Sequence, residues 1–307
     1  MMEHRPIMLQ EVIEALQIKG NGIYVDGTFG RGGHSSEILK SLNDGKLIVF
    51  DQDEEAIKAA QRLKEVYPTK LVICRENFRN LDMTLDKHGI DHVDGILLDL
   101  GVSSPQFDDP ERGFSYRYDA RLDMRMDQSQ ALDAYHVVNH YPFEKLTYIF
   151  SHYGEEKFAK QIARRIEQER AIKPIETSLA LVDVIKSALP MKVLSQKGHP
   201  AKQVFQAIRI EVNQELKALE EVLDQAAKRL NSNGRLVIIT FHSLEDRMVK
   251  KFMQKLSTVD IPSKLPIQGV PEAAYEHLTH KVIIPSASEC ESNPRAHSAK
   301  LRVLRKR

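Results

Sequence analysis

Nine consecutive residues, Asp26-Gly27-Thr28-Phe29-Gly30-Arg31-Gly32-Gly33-His34, concentrate the chemistry of this 307-residue chain. The glycines let a backbone approach a ligand closely. If the stretch joins a strand to a helix, the first N–H groups of that helix point at whatever binds there. Three ligand chemistries use such a loop. A phosphate-cradling loop needs Gly-Lys-Ser/Thr at its end, and Gly33-His34-Ser35 has no lysine. A dinucleotide fingerprint begun at Gly30 needs glycine where Ser35 stands. What remains is an acidic strand end followed by G-x-G, the form that meets the amino-acid end of a cationic sulfonium ligand. Asp51 lies about 20 residues beyond the glycines, where an acid accepts hydrogen bonds from ribose hydroxyls. Nicotinamide enzymes place an acid there too, so Asp51 alone leaves both cofactors open.

Other constellations are weaker. His136 and His140 have the helical spacing of a zinc pair, but Val137 stands where H-E-x-x-H needs glutamate, and no metal is expected. Glu245 and Asp246 are adjacent, so on a helix they do not face each other, and they read as first-turn acids. Lys157, Lys160 and Arg164 share one helical face, opposite Phe158, Ile162 and Ile166. Lys192, Lys197, Lys202 and Arg209 follow, and the chain ends with Arg302, Arg305, Lys306 and Arg307. Any of these groups could grip phosphates or be solvated charge.

The elements that must position the loop alternate. Residues 22–26, 46–51, 71–74 and 93–98 read as short buried strands. Helices are expected over 34–42, from an Asp53 cap to 66, and over 80–87. That pattern predicts right-handed βαβ units and a mostly parallel α/β sheet. Residues 101–127 read as a long loop, and only helices are expected from 128 to 230. One long apolar stripe there runs from Val204 to Leu230. Residues 235–241 restore a strand, 262–294 read as loop, and 301–304 as an edge strand. The expected division is therefore a discontinuous α/β domain, 1–105 with 231–307, interrupted by a helical insertion over 106–230.

Composition narrows the class. A net charge of +1 means that any nucleic-acid surface is a local patch. Met1–Gln10 has no signal-peptide core and no apolar run is long enough to span a bilayer. The two cysteines, Cys74 and Cys290, have no metal spacing, so a cytoplasmic protein is expected.

Several motifs then point to one family. Residues 27–35 (GTFGRGGHS), 94–106 (DGILLDLGVSSPQ), 112–115 (RGFS), 122–127 (LDMRMD), 241–247 (FHSLEDR) and 293–295 (NPR) resemble the small-subunit ribosomal RNA methyltransferase H family, also called MraW. The likeness is collinear and spans nearly the whole chain. It departs at His297, where the family usually has arginine. The resemblance implies a Rossmann-like class I methyltransferase fold, with the inserted helical domain serving substrate recognition. It implies S-adenosylmethionine as methyl donor and N4 methylation of a cytidine in the decoding region of 16S rRNA, within the small ribosomal subunit. By motif, Gly32, Gly33 and His34 would meet the methionine end of the cofactor, and Asp51 the ribose. Phe78 would lie against the adenine, and Asp99 and Gln106 would complete the pocket.

The catalytic group stays open. An exocyclic cytosine amine is a poor nucleophile, and amino-methyltransferases of DNA often hold it with an Asp/Asn/Ser-Pro-Pro-aromatic motif after the fourth strand. Residues 99–107 (DLGVSSPQF) have one proline and no aromatic directly after it. Asp99 could serve cofactor, acceptor or both; Ser103, Ser104 and His242 are weaker candidates. Two rival readings are a nicotinamide-dependent oxidoreductase, opposed by Ser35, and a ribosome-assembly factor that binds cofactor and RNA without turnover.

Overall fold

The computed structural model describes residues 6–259, 272–279 and 281–307, apart from the side chains of Ser104 and Pro105. From the N-terminus, α1 (Leu9–Leu16), β1 (Ile23–Asp26), α2 (Gly33–Ser41), β2 (Lys46–Phe50), α3 (Glu54–Val66), β3 (Leu71–Cys74), α4 (Leu81–Lys87) and β4 (Val93–Asp99) alternate. The helices α5 (Ser104–Asp108), α6 (Ala134–His140), α7 (Phe143–His152), α8 (Ala159–Ile172), α9 (Ser178–Ser187), α10 (Met191–Leu194) and α11 (Lys202–Asn213) follow. Then come α12 (Glu215–Arg229), β5 (Leu230–Thr240), α13 (Ser243–Ser257), β6 (Tyr275–His277), α14 (Ala287–Ser292) and β7 (Lys300–Lys306). The chain divides into two compact units, Met1–Gly101 with Leu216–Arg307, and Val102–Glu215.

The first unit is a seven-stranded sheet in the order β3-β2-β1-β4-β5-β7-β6. Strands β1 to β5 pair in parallel, while β7 runs antiparallel to both β5 and β6. Its strands lack a polar face because both faces are covered. On one face Ile48, Phe50, Ile96, Leu98, Leu236 and Ile238 pack with Leu81 and Leu85 of α4, with Leu219, Leu223 and Ala226 of α12, and with Val249 and Met253 of α13. The alternate residues Leu47, Val49, Leu97, Val237 and Ile239 pack with Val12 of α1, Ile38 of α2 and Ala60 of α3. Asp53 caps α3, its carboxylate accepting from Glu55 N at 3.0 Å.

The structure corrects four readings of the sequence. The stripe from Val204 to Leu230 is two helices, because Gln214 adopts a left-handed φ of 50° between α11 and α12. The second of them packs on the sheet, so the helical insertion ends near 215 rather than 230 and begins near 102. Residues 300–306 are an interior strand, and the region read as loop holds the edge strand β6 and the helix α14. Residues 262–271 of that region lie outside the described ones.

Charge fixes β7 to α13. Asp246 accepts from Arg302 Nε at 2.7 Å and Lys300 Nζ at 3.1 Å, and Arg302 is buried. Asp246→Ala would leave a buried guanidinium without its counter-charge, which costs roughly 3–5 kcal/mol. Urea unfolding of the variant is expected to show that loss, and Asp246→Ala with Arg302→Met to recover part of it. An unchanged midpoint in the single variant would dismiss the pair as a stabilising contact.

The second unit closes around its own core. Ile162 and Ile166 of α8, Leu146, Ile149 and Phe150 of α7, Leu181 and Ile185 of α9, and Val204 and Ile208 of α11 are buried together. The segment before α6 has little helix, yet its charges order it. Arg125 donates to Asp123 through Nε at 2.8 Å and a terminal nitrogen at 2.7 Å. Arg112 donates to the Arg125 and Met126 carbonyls, and Arg121 to Asp133 at 2.6 Å. No helix among the described residues is long and apolar enough to cross a membrane.

Candidate functional site

The glycine loop sits where β1 turns into α2, at the carboxyl edge of the sheet. Open parallel sheets bind ligands at that edge. Its shape is set by hydrogen bonds to neighbouring strands. Gly27 N donates to Leu97 O at 2.9 Å, Phe29 N to Phe50 O at 3.0 Å, and Gly32 N to Phe29 O at 2.7 Å. Gly32 caps α2 with φ 75°, and a Cβ placed there would lie 2.5 Å from Cζ of the Phe29 ring. Only glycine satisfies both conditions.

Three carboxyls surround this loop. Asp26 ends β1 and is 1 % exposed, accepting from Ser35 Oγ at 2.6 Å and Thr28 N at 3.0 Å. Asp51 follows β2 and accepts from Gly30 N at 2.8 Å and Asp53 N at 2.9 Å, so it braces the loop from the next strand. Asp99 ends β4; its N–H donates to Thr28 Oγ1 at 2.6 Å, and its Oδ2 stands 3.7 Å from Nδ1 of His34. The other oxygen, Oδ1, is buried with no hydrogen-bond partner.

These groups set each other's charge. Burial raises Asp26 above the usual carboxylate range and pushes Asp51 up to about 7. Burial, with Asp26 and Glu245 nearby, lifts Asp99 well above that range. His34 is buried, and burial lowers its pKa. Its Nε2 lies 3.0 Å from the Ile7 carbonyl, which only accepts, so the neutral ring carries its proton there. Nδ1 then presents a lone pair toward the Asp99 carboxyl. Among the described residues no lysine or arginine pairs with Asp26, Asp51 or Asp99. A ligand brought here therefore meets three carboxyls that no lysine or arginine neutralises among the described residues. That field suits a positively charged sulfonium and ammonium group and opposes a pyrophosphate.

The remaining sequence candidates divide. Phe78, half-buried, starts a short helical turn after β3, its Cβ close to Gly27, and so belongs to the same edge. Gln106 is buried in the second unit, where its amide oxygen accepts from Ser103 N at 3.0 Å. The structure thus brings Gly32, Gly33, His34, Asp51, Phe78 and Asp99 together on one unit and places Gln106 on the other. His242 is the N-cap of α13: its ring accepts from Glu245 N, while Glu245 accepts from Phe241 N at 2.8 Å and His242 N at 3.2 Å. The FHSLEDR stretch is a helix start with both acids in its first turn. The side chain of Ser104 lies outside the described residues. Neither His136 nor His140 belongs to a cluster of three potential metal ligands among the described residues. What sequence reasoning missed is the bond from Ser35 to Asp26, and Thr28 as the link to Asp99. A serine buried nine residues after an acidic strand end was the available signal.

The basic groups also divide. Arg209 is committed to Glu215 through two hydrogen bonds of 2.9 and 2.8 Å. At the C-terminus Arg302 holds Asp246, Arg305 pairs with Glu276, Arg307 with Glu272, and Lys306 donates to the Leu230 carbonyl at 2.7 Å. The C-terminal cations and Arg209 are therefore structural. Lys157, Lys160, Arg164, Lys192, Lys197 and Lys202 are exposed.

Comparison with known proteins agrees with the geometry. The MraW methylase family profile matches residues 1–307. A ribosomal RNA small subunit methyltransferase H from Streptococcus pyogenes serotype M4 is 54% identical over 309 aligned residues, covering 99% of this chain and 97% of that protein. Among solved structures, an rRNA methylase from Streptococcus thermophilus aligns over 100% of this chain and 99% of its own, with 15% identity and a TM-score of 0.42. A protein from Streptococcus mutans solved in complex with SAH aligns over 100% of both chains, with 13% identity and a TM-score of 0.45. With a glycine loop among three carboxyls that no lysine or arginine neutralises, on a Rossmann-like class I sheet, the chain belongs to the MraW methylase family of S-adenosylmethionine-dependent methyltransferases.

Proposed function

We propose that this protein methylates N4 of a cytidine in the decoding region of 16S rRNA, acting on the small ribosomal subunit in the cytoplasm. The observation that carries the donor side is the set of carboxyls Asp26, Asp51 and Asp99 around the loop, none paired with a lysine or arginine among the described residues. Family membership and the name of the 54% identical relative support the acceptor.

In this reading Gly32 and Gly33 admit the methionine end of the cofactor, and His34 and Asp99 line it. Asp51 accepts from the ribose hydroxyls while keeping the loop in place, and the Phe78 ring lies against the adenine. The second unit, which carries Gln106, serves substrate recognition in this reading. When bound, S-adenosylmethionine supplies an electrophilic methyl group on a sulfonium. The chain's task is then to place an amine in line with it and to offer acceptors to the amine's N–H groups. Asp99 Oδ1, buried without a partner at the carboxyl end of β4, is such an acceptor.

The test is methyl transfer from labelled S-adenosylmethionine to small subunits from cells lacking this protein, with the modified nucleoside mapped. Absence of label on cytidine N4 would overturn the reading.

A second expectation follows from Asp51. Ribose hydroxyls donate to its ionised form, so cofactor affinity should climb as pH rises toward 7 and level off above it. The sign for folding is opposite. Because burial raises the carboxyl in the folded state, the unliganded fold is favoured by this group at low pH and loses that contribution as pH approaches 7. Calorimetry from about pH 6 to about pH 8 is expected to show that climb in the wild type. Asp51→Asn should flatten it, and Asp51→Ala should weaken binding by roughly 1–3 kcal/mol. Equal affinity in wild type and Asp51→Ala would remove the residue from the site.

A further inference from the structure

We propose that Tyr116, Arg117, Lys186 and His199 form a surface for the single-stranded substrate RNA, with a base added to the Tyr116–His199 ring stack and phosphates held by Arg117 and Lys186. The inference rests on the RNA reading above and names where the second unit holds the strand.

The stack is built in. The Tyr116 and His199 rings lie 4.2 Å apart between centroids and 14° from parallel. Tyr116 is fixed from the other direction by the edge of Phe205, 5.7 Å away at 88°. His199 Nδ1 accepts from Ala201 N at 3.3 Å, so the neutral ring carries its proton on Nε2. Burial lowers the pKa of His199, and the nearby Lys186 and Arg117 lower it further. The imidazole is thereby kept as an uncharged flat ring near two cations. Such a ring pair offers a π-face to any base, and cations beside it follow the strand's backbone.

The cations are available. Arg117 and Lys186 are exposed and make no ion pair among the described residues. The nearest acids have other positions or partners. Asp119 accepts from Leu179 N at the start of α9, and Asp183, three residues before Lys186, forms no ion pair with it. Tyr118 is 53 % exposed beside Arg117, with its carbonyl held by Ser178 Oγ at 2.6 Å. Around His199 the loop is open: a Cβ on Gly198 would meet nothing within 4 Å, and Lys197 is exposed. Aromatic rings alternating with unpaired cations fit a nucleotide strand better than an acidic peptide, which would leave the stacked rings unused.

The experiment measures salt-dependent binding of the full chain to a short single-stranded RNA and to small subunits from cells lacking the protein. Arg117→Ala with Lys186→Ala should make the slope of log affinity against log salt shallower by about 1.4, since each single-strand phosphate contact contributes about 0.7. KM for subunits should rise roughly tenfold, with cofactor affinity and the saturated single-turnover rate unchanged. His199→Ala should weaken RNA binding roughly fivefold or more without altering that slope, and His199→Phe should restore it. A double variant with wild-type slope and KM overturns the surface. So does poly-glutamate competing as well as RNA, which would mark an acidic protein as the partner. If the wild type transfers no methyl group to subunits, the activity reading fails, while the surface is still judged by the binding data.

Discussion

Asp99→Ala is expected to lower the single-turnover methylation rate by roughly two to three orders of magnitude, the size of effect seen when one preorganised acceptor or donor is removed from a reacting centre. Its carboxyl is held at three points of the fold: by the end of β4, by the bond from its own N–H to Thr28 Oγ1, and by the facing ring of His34. The remaining oxygen is buried and unsatisfied, a state that costs free energy until something donates to it. The N–H of an amine or of the cofactor's ammonium would satisfy it. Alanine removes that acceptor and leaves Thr28 and His34 where they are. RNA affinity and its salt slope should therefore persist, while turnover collapses and cofactor affinity falls by a smaller factor. Asp99→Asn keeps the shape but cannot ionise or take up a proton; a rate between the two would assign part of the effect to the carboxyl's acid–base character. Quench-flow methylation with saturating subunits gives the answer. A rate within a few-fold of wild type in Asp99→Ala would take this carboxylate out of the mechanism.

The second large effect is expected from Gly32→Ala, through backbone geometry rather than a lost functional group. Gly32 holds φ at 75°, and a side chain in left-handed backbone costs about 1–2 kcal/mol. The added Cβ would also fall 2.5 Å from Cζ and 2.8 Å from Cε2 of the buried Phe29 ring. That ring is buried, so it cannot retreat without pushing on what packs around it, while Phe29 N stays bonded to Phe50 O on β2. Loop and strand would shift together, carrying the N–H groups at the start of α2 away from their ligand. Cofactor affinity should drop by at least roughly thirtyfold, the equivalent of about 2 kcal/mol, with a lowered Tm. Gly89→Ala supplies the comparison: its φ is 66°, but nothing lies within 4 Å of the added Cβ. It should show the backbone cost and leave cofactor binding intact. Equal behaviour of the two variants would mean that the Phe29 overlap has no part in shaping the site.

Much of this was legible in the sequence because it is encoded locally. The four buried strands before Gly101 are short apolar runs between turn residues, and they form where periodicity placed them, within a residue at each end. The Asp53 cap and the first-turn acids Glu245 and Asp246 need only their immediate neighbours. The glycine pattern, its acidic strand end and Asp51 could be assigned to one edge because parallel strands of known order put their carboxyl ends together.

Long-range partners decided the rest. Val204 to Leu230 has an unbroken apolar stripe, and nothing local says that Gln214 will turn left-handed; the break appears because α11 and α12 pack in different cores. The strand at 300–306 has an ordinary edge-strand composition, and only β6 pairing on its far side makes it interior. Arg209, Arg302 and Arg305 look like free cations in the sequence, whereas Glu215, Asp246 and Glu276 neutralise them in the fold. Charge pairing between distant residues has no period to read. The same holds for Asp99, whose position was visible but whose unsatisfied oxygen, raised pKa and contact with Thr28 and His34 arise only when β1, β4 and α2 converge. Periodicity and motif thus determined the parallel strands, the glycine loop with its neighbouring acids and the family, because each is written in short local runs. Burial and pairing across the chain decided which charges are structural and which stay available, because desolvation depends on everything packed around a group.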